Sequence, residues 1–363
     1  MPREVSERLA AMLDGSRQVT YEANVVRGDE SMDGLPVELG GGLSWDAGQQ
    51  VEFSGTVNAV LVDEAGRSYA PTSVGDLFAP FGSEVMLSAR VAVADMVERV
   101  QLARARITAV PKVLGDRVNI GGEWVTLSET ITLELRDRMD VLKADKFDTD
   151  TRVRYATSAW RELEHLCPFP VLRSGADAAL PKSLSYPKDK TRADAVQTIA
   201  GRLGGVAAFD SLGNLIVRRA SSASVLDLRL GRDGTVASVG SAMDTDGIYN
   251  RVVVRGKQPN GAPIQVERTA TGELSPAVWG RRTYVADQGD FLGTRAQAAL
   301  YAERLLASVS TLPKAELQVQ CLMDPRLEVG DVASVTREGK SERLRVSRIN
   351  YGDPMMTVLG RLL

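Results

Sequence analysis

Few side chains in this sequence are equipped for chemistry. His165 is the only histidine and stands two residues before Cys167, one of two cysteines. A cysteine–histidine nucleophile needs the imidazole within hydrogen-bond reach of the thiol and a third group to orient the ring. Ser158 to Leu166 has the pattern of a helix, on which positions two apart differ by about 200° of rotation. The pair therefore points apart, no orienting group is evident, and the two read as a helix-end histidine and a structural thiol. A single histidine with two distant cysteines, Cys167 and Cys321, is also too poor a ligand set for zinc. Glu162 and Glu164 could be the acid and base of a glycosidase. That chemistry is set by a separation of about 5 to 9.5 Å across a cleft, and the sequence supplies no cleft.

Two further motifs fail on spacing. Gly339-Lys340-Ser341 has the tail of a phosphate-binding loop, but the leading glycine would fall at Ser334 and strands flank the motif on both sides. Carboxylates gather at Asp145 to Asp150 and at Asp244-Thr245-Asp246-Gly247. A calcium loop needs a glutamate at its twelfth position, and for the second cluster that position is Arg255. Both clusters read as solvated turns. Arg27-Gly28-Asp29 spells an integrin-binding tripeptide, which a turn at a strand end explains without any partner. The expectation is a protein with no catalytic, cofactor-binding or metal-binding residues, acting without enzymatic turnover.

The elements that would position a site come next. With 363 residues, 44% hydrophobic and 25% charged, the chain predicts two or three globular units with real cores. Aromatics at 5% and 33 glycines suit many short strands and turns. A net charge of −3 provides no basic field for nucleic acid. Two cysteines so far apart form no disulfide framework and are expected reduced. No apolar run is long enough to span a membrane, and Met1 to Arg8 lacks the apolar core of a signal peptide, which predicts folding in a cytoplasm.

Glu4 to Leu13 places Val5, Leu9, Met12 and Leu13 on one face of a helix too short to stand alone. It should dock on its own barrel or on a neighbouring subunit. From Gln18 the pattern alternates, and strands are expected at 51–62, 84–93, 97–110, 123–127 and 130–135. Gly40-Gly41-Gly42, Asp46-Ala47-Gly48, Glu64-Ala65-Gly66 and Pro80-Phe81-Gly82 fall between them as turns. Helical spacing returns at Arg136 to Lys146, and Leu180 to Lys190 reads as a loop. Thr191 caps a helix with Val196, Ile199, Ala200 and Leu203 on its inner face, ended by Gly204-Gly205. A hairpin follows around Ser211-Leu212-Gly213-Asn214. A second capped helix opens at Thr294 with Gln297 completing its box.

The last stretch, Ala315 to Leu363, carries four expected strands. Leu317, Val319 and Cys321 alternate with polar residues; Val332 and Val335 follow; Leu344, Val346 and Ile349 form the return strand; Met356, Val358 and Leu359 end the chain. Between the first two lies Asp324-Pro325-Arg326-Leu327-Glu328-Val329-Gly330-Asp331. Pro325 marks a strand end, and Gly330 suits a sharp turn that needs a positive φ before the chain re-enters the sheet at Val332.

This turn, a valine-rich hairpin and a last strand ending in Gly360-Arg361-Leu362 resemble the final domain of bacteriophage tail hub proteins, the minor tail proteins of tail tips and baseplates. The capped helix, Gly204-Gly205 and the hairpin resemble the small α/β domain of that family. Gly247 to Gly256 resembles its strand entering a second barrel. Residues 146–190 and 275–291 match no pattern of the family, and no lysozyme-like or peptidase-like extension is present.

The resemblance implies a β-rich α+β chain with two small antiparallel β-barrel or sandwich domains and a small α/β unit between them. The expected division is an amphipathic helix at 1–16, a first barrel-like hub domain at 17–140, a connector and small α/β domain at 141–235, and a second barrel-like hub domain at 236–363 that includes a helix at 294–308. It further implies a homotrimeric ring in the virion tail, assembled in the host cytoplasm, that adapts a sixfold tail tube to a threefold central fibre or spike. Implied partners are the distal tail or tail tube protein, the tape-measure protein and the fibre or spike, with DNA passing through without sequence recognition. Candidate assembly-interface residues are Val5, Leu9, Met12, Phe78 and Phe81, with the Gly40 to Gly42 loop beside them. Pro325, Gly330 and Asp331 are the candidate fold-defining turn. The alternatives are a cell-wall or carbohydrate-acting module, hydrolase or lectin, and the hub of a contractile injection particle.

Overall fold

A computed structural model describes residues 3, 5–60, 69–231, 234–242, 248–258, 261–287, 294–310, 316–337, 339–352 and 354–363. The Glu64 to Gly66 and Asp244 to Gly247 turns lie outside them. The fold is β-rich α+β, and the chain divides into two compact units, Met1–Gly240 with Leu317–Leu363, and Ser241–Glu316.

The larger unit begins with α1 (Glu7–Met12), whose cap Ser6 accepts a hydrogen bond from the Leu9 N–H. Six strands follow: β1 (Gln18–Arg27), β2 (Glu30–Asp46), β3 (Phe53–Val60), β4 (Glu84–Val93), β5 (Met96–Ile120) and β6 (Glu123–Asp137). They pair in the order β1-β4-β5-β6-β3-β2, and β2 returns to β1 over Glu30 to Val37, so the sheet closes on itself. Period-two alternation turns Ala23, Val25, Val57, Val85, Leu87 and Leu133 into its core. Leu9 and Leu13 are buried in that same core, so α1 docks on its own subunit.

Where a turn was expected at Gly40 to Gly42, the chain runs straight on. β2 is 17 residues long, and the pairing with β3 shifts between Leu39 and Gly42, the signature of a bulge. Gly42 has φ +89°, and a Cβ there would stand 3.1 Å from the Tyr351 carbonyl oxygen. Glycine thus serves close passage of strands here, which sequence alone does not separate from a turn. The strands expected at 123–127 and 130–135 are likewise one continuous element, β6.

The middle of the chain builds a small α/β layer from α2 (Met139–Ala144), β7 (Thr151–Arg152), α3 (Ala159–Leu166), β8 (Ser185–Tyr186), α4 (Arg192–Arg202), β9 (Val206–Phe209) and β10 (Leu215–Arg218). The Thr191–Asp194 capping box is formed, and Val196, Ile199, Ala200 and Leu203 are buried with Trp160, Leu163 and Leu215. β8 pairs with β7 inside the segment read as a loop; two residues per strand are too few to show a period.

A second circuit uses β11 (Ser224–Arg229) and β12 (Val236–Ala242). The smaller unit then intervenes with β13 (Arg251–Lys257), β14 (Pro263–Thr269), α5 (Pro276–Trp279), β15 (Thr283–Asp287) and α6 (Arg295–Val309). Its sheet runs β14-β13-β15, and Ala298 and Ala302 of α6 pack against Val252, Val254, Ile264 and Val266. Strands β16 (Glu316–Leu322), β17 (Val332–Arg337), β18 (Lys340–Tyr351) and β19 (Met355–Leu362) complete the second circuit, ordered β11-β17-β18-β19-β16-β12. A bridge between Leu230 and Val236 joins its two ends.

The span 236–363 therefore contributes to both units, and β11, upstream of that span, belongs to the second circuit. The two circuits meet where Leu43 to Asp46 of β2 pair with Arg348 to Tyr351 of β18. The four terminal strands fall where the alternation places them. A bulge between Val346 and Arg348 explains why the inward positions step from Val346 to Ile349.

Candidate functional site

The residues with catalytic potential are occupied structurally. His165 meets the Tyr155 ring edge-on, with centroids 5.8 Å apart, while Cys167 is buried at the end of α3 and burial raises its thiol pKa, the opposite of activation. Glu162 is buried and accepts from the Arg154 N–H at 3.1 Å, the Tyr155 N–H at 2.7 Å and the Tyr186 hydroxyl at 2.9 Å. Glu164 lies on the surface, where the Arg173 guanidinium holds its carboxyl below the usual range. Thus the two glutamates have separate surroundings and share no cleft. Gly339 turns a hairpin between β17 and β18, and Arg27-Gly28-Asp29 turns the β1–β2 hairpin. Asp145 pairs with Arg192, and Asp150 accepts from the Lys188 N–H. Among the described residues no three histidine, cysteine or acidic side chains are grouped to hold a metal.

The feature around which the larger unit is organised is a buried polar junction. The turn after β16 presents the Pro325 and Leu327 carbonyls to the Arg3 guanidinium at 3.0 and 3.3 Å, and Arg3 also donates to the Tyr351 hydroxyl at 3.1 Å. Glu328 pairs with the same arginine at 3.2 Å, and burial still holds its pKa up. Gly330 has φ +87°; its N–H donates to the Val346 carbonyl, and its open face abuts Arg218. Asp331 is buried at the turn's end, and its carboxylate accepts from the Glu328 N–H at 3.1 Å.

From the α/β layer, Arg218 of β10 pairs with Glu52 just before β3. Arg138 donates two bonds to Glu84 of β4, at 2.8 and 2.7 Å, and one to the Gly213 carbonyl at 2.6 Å, while stacking over Phe169. Although burial opposes it, Arg138 and Arg104 hold the Glu84 carboxyl below its usual range. Asp137 accepts from the Phe53 and Met139 N–H groups, each at 2.8 Å, and burial pushes its pKa up to about 7.

These are desolvated charges, several of them held by more than one partner: Arg3 by two carbonyls, a hydroxyl and Glu328, and Glu84 by both Arg104 and Arg138. Such an arrangement fixes geometry more than it adds stability. Sequence reasoning found the turn but missed Arg3, Glu52, Glu84, Arg138 and Arg218. Nothing local marks these five among 44 basic and 47 acidic residues.

The candidate interface residues separate clearly. Leu9 and Phe78 lie in the subunit's own core, and Val5 and Met12 pack partly against it, so this helical face is already used. Phe81 is 61% exposed, on a loop fixed by bonds from Thr72 and Ser73 to Asp76. Gly40 to Gly42 is a strand bulge rather than a loop. It lines an open cleft of about 1450 Å³ together with Val19, Glu134, Tyr351 and Met355.

No protein-family model matches the chain, and no curated protein matches it by sequence. Its architecture does match solved structures. The tail protein from Neisseria meningitidis MC58 aligns with a TM-score of 0.57 at 15% identity, covering 95% of this chain and 97% of that one. The 43 kDa tail protein of prophage MuSo2 from Shewanella oneidensis also gives 0.57, at 12% identity, covering 94% and 98%.

The fold is shared with phage tail proteins.

Both alignments run over nearly the full length of each chain, so the shared tail-protein fold includes the strand circuits as well as the α/β layer.

Proposed function

We propose that this protein is a structural component of a phage-type tail, a hub whose subunits assemble as a trimeric ring. The observation that carries the reading is the doubling within one unit: two six-stranded circuits joined along β2 and β18. Three copies would present six circuits to a sixfold tube while keeping threefold symmetry for a central fibre or spike. The likeness to two tail proteins over almost their whole length supports the same reading. A net charge of −3 gives the wall of a central channel no overall basic field with which to retain phosphates by counterion release. Tape-measure protein and then DNA would pass without recognition, and the tube and fibre proteins would flank the ring. A hydrolase or lectin would need carboxylates converging with aromatic platforms, whereas Glu162 and Glu164 are each committed to structural partners.

The test is the mass of the purified protein by light scattering across a wide concentration range, with end-on particle images. Three copies forming an annulus of six lobes is the expected result. A single copy at every concentration, or an annulus with another lobe number, overturns the trimeric hub.

A further inference from the structure

The cleft offers an unpaired strand edge, and one projecting element of the same chain offers another. Pairing of β2 with β1 ends at Tyr21–Val37, and pairing with β18 begins at Leu43–Tyr351. Among the described residues Glu38 to Gly42 therefore have no strand on that side, and this open edge forms the floor of the cleft. An unpaired strand edge is a template for a strand from elsewhere.

The projecting element is the far end of the β5–β6 hairpin. β4 covers β5 only as far as Arg106, and the described part of β3 covers β6 only down to Thr130. Beyond these points β5 and β6 continue to Ile120–Glu123 as a ribbon of two strands among the described residues, with Val113, Leu114 and Val118 exposed by 44%, 54% and 41%. A two-stranded ribbon is marginal by itself in water, and exposed aliphatic side chains at its root and along it add to the need for cover.

The ribbon cannot reach its own cleft. β6 lines the cleft with Glu134 and Arg136 and also carries the ribbon, whose turn at Gly122 lies twelve residues away. At about 3.3 Å per residue along one strand the turn is about 40 Å from Glu134, and the root at Thr130, opposite Leu114, is about 13 Å from it. Both lie on the same paired sheet that fixes β6 in place. A second copy has no such restriction.

We infer that the β5–β6 ribbon of one subunit lies in the β1–β2–β18 cleft of the next, the uncovered backbone edge of β5 pairing with the open edge of β2 and Leu114 and Val118 sharing one covered face. Resting on the ring reading above, this is a head-to-tail contact between unlike surfaces, the kind that closes a ring when the rotation allows.

Paired cysteines test it. A Cβ at Gly41 meets nothing nearer than the Thr56 side chain at 3.7 Å, Leu114 is exposed, and both native cysteines are buried. Gly41→Cys combined with Leu114→Cys should give, on mild oxidation, a non-reducing ladder that stops at three chains, with no ladder from either single variant. Gly41→Trp, which fills the cleft, should leave circular dichroism unchanged and weaken self-association at least tenfold. If the wild type forms its ring while the double variant gives no ladder, or while Gly41→Trp assembles normally, the ribbon contact is wrong and the ring stands. A wild type that remains a single chain removes both.

Discussion

The two strand circuits have equal strand numbers but are closed by different means. The first is built from consecutive chain between Gln18 and Asp137, and a full ladder of β1 on β2 closes it. The second gathers β11, β12 and β16 to β19 from distant parts of the sequence, includes a parallel β11–β17 pair, and is joined at its ends by the bridge at Leu230 and Val236. Closure of the first circuit is short in range, although its Glu52 and Glu84 are also paired to arginines of and beside the α/β layer. The second depends on what lies beside it: the β2–β18 seam and the polar junction around the Asp324 to Asp331 turn. Symmetry of architecture therefore does not mean symmetry of stability.

The sharpest way to break that asymmetry is at the junction. Arg218→Met leaves Glu52 buried without its cation, and loss of one partner of a buried pair costs about 3–5 kcal/mol. Urea unfolding should show this as a lower midpoint, and adding Glu52→Leu should recover most of it. Recovery of nothing would mean that the arginine acts by packing alone.

Core truncation compares the circuits directly. Leu87→Ala in β4 and Leu344→Ala in β18 each remove a fully buried side chain, at about 2–5 kcal/mol. If the second circuit is the dependent one, Leu344→Ala should split off an early transition in hydrogen exchange confined to β11, β12 and β16 to β19. Leu87→Ala should lower the whole unit together. Identical exchange patterns would erase the distinction.

A smaller effect is expected at the turn. Gly330→Ala forces an alanine to φ +87° and sets its Cβ 2.8 Å from Arg218 Nε, a cost of about 1–2 kcal/mol from the left-handed backbone before any crowding. The melting temperature should fall accordingly, and equal stability would remove Gly330 from the fold-defining turn.

The smallest expected effect comes from pH. Burial raises the folded-state pKa of Asp137 to about 7, above its unfolded value, so the native state holds the extra proton between the two. The stability it contributes is complete below the unfolded pKa and is lost as pH rises through about 7. Between pH 6 and 8 the loss is about 1 kcal/mol, and Asp137→Asn should flatten that slope in paired denaturant titrations. An unchanged slope would assign the titration to another group.

The terminal strands were legible because each buries one face. Leu317, Val319, Cys321, Leu344 and Val346 alternate with polar or charged residues, and the helix at Thr191 announced itself by its capping box. β2 was not legible as a single strand, because glycines that permit close strand passage look the same as glycines that permit turns. Circuit closure was equally hidden: Leu230 and Val236 are ordinary aliphatic residues whose pairing depends on the whole second circuit. The junction was the least visible part. Arg3 and Tyr351 are 348 residues apart, and no local pattern links a charge to a partner at that range.

One last consequence follows from where the smaller unit leaves the chain. Thr235 faces Leu322 and Ser238 faces Gln320, so β12 and β16 run in opposite senses and the exit at Ala242 lies beside the return at Glu316. Topologically the whole intervening stretch is an overgrown hairpin loop. It is a natural cassette, a place where recombination could exchange one module for another, or a designer could graft a foreign domain, with a short turn enough to reseal the scaffold.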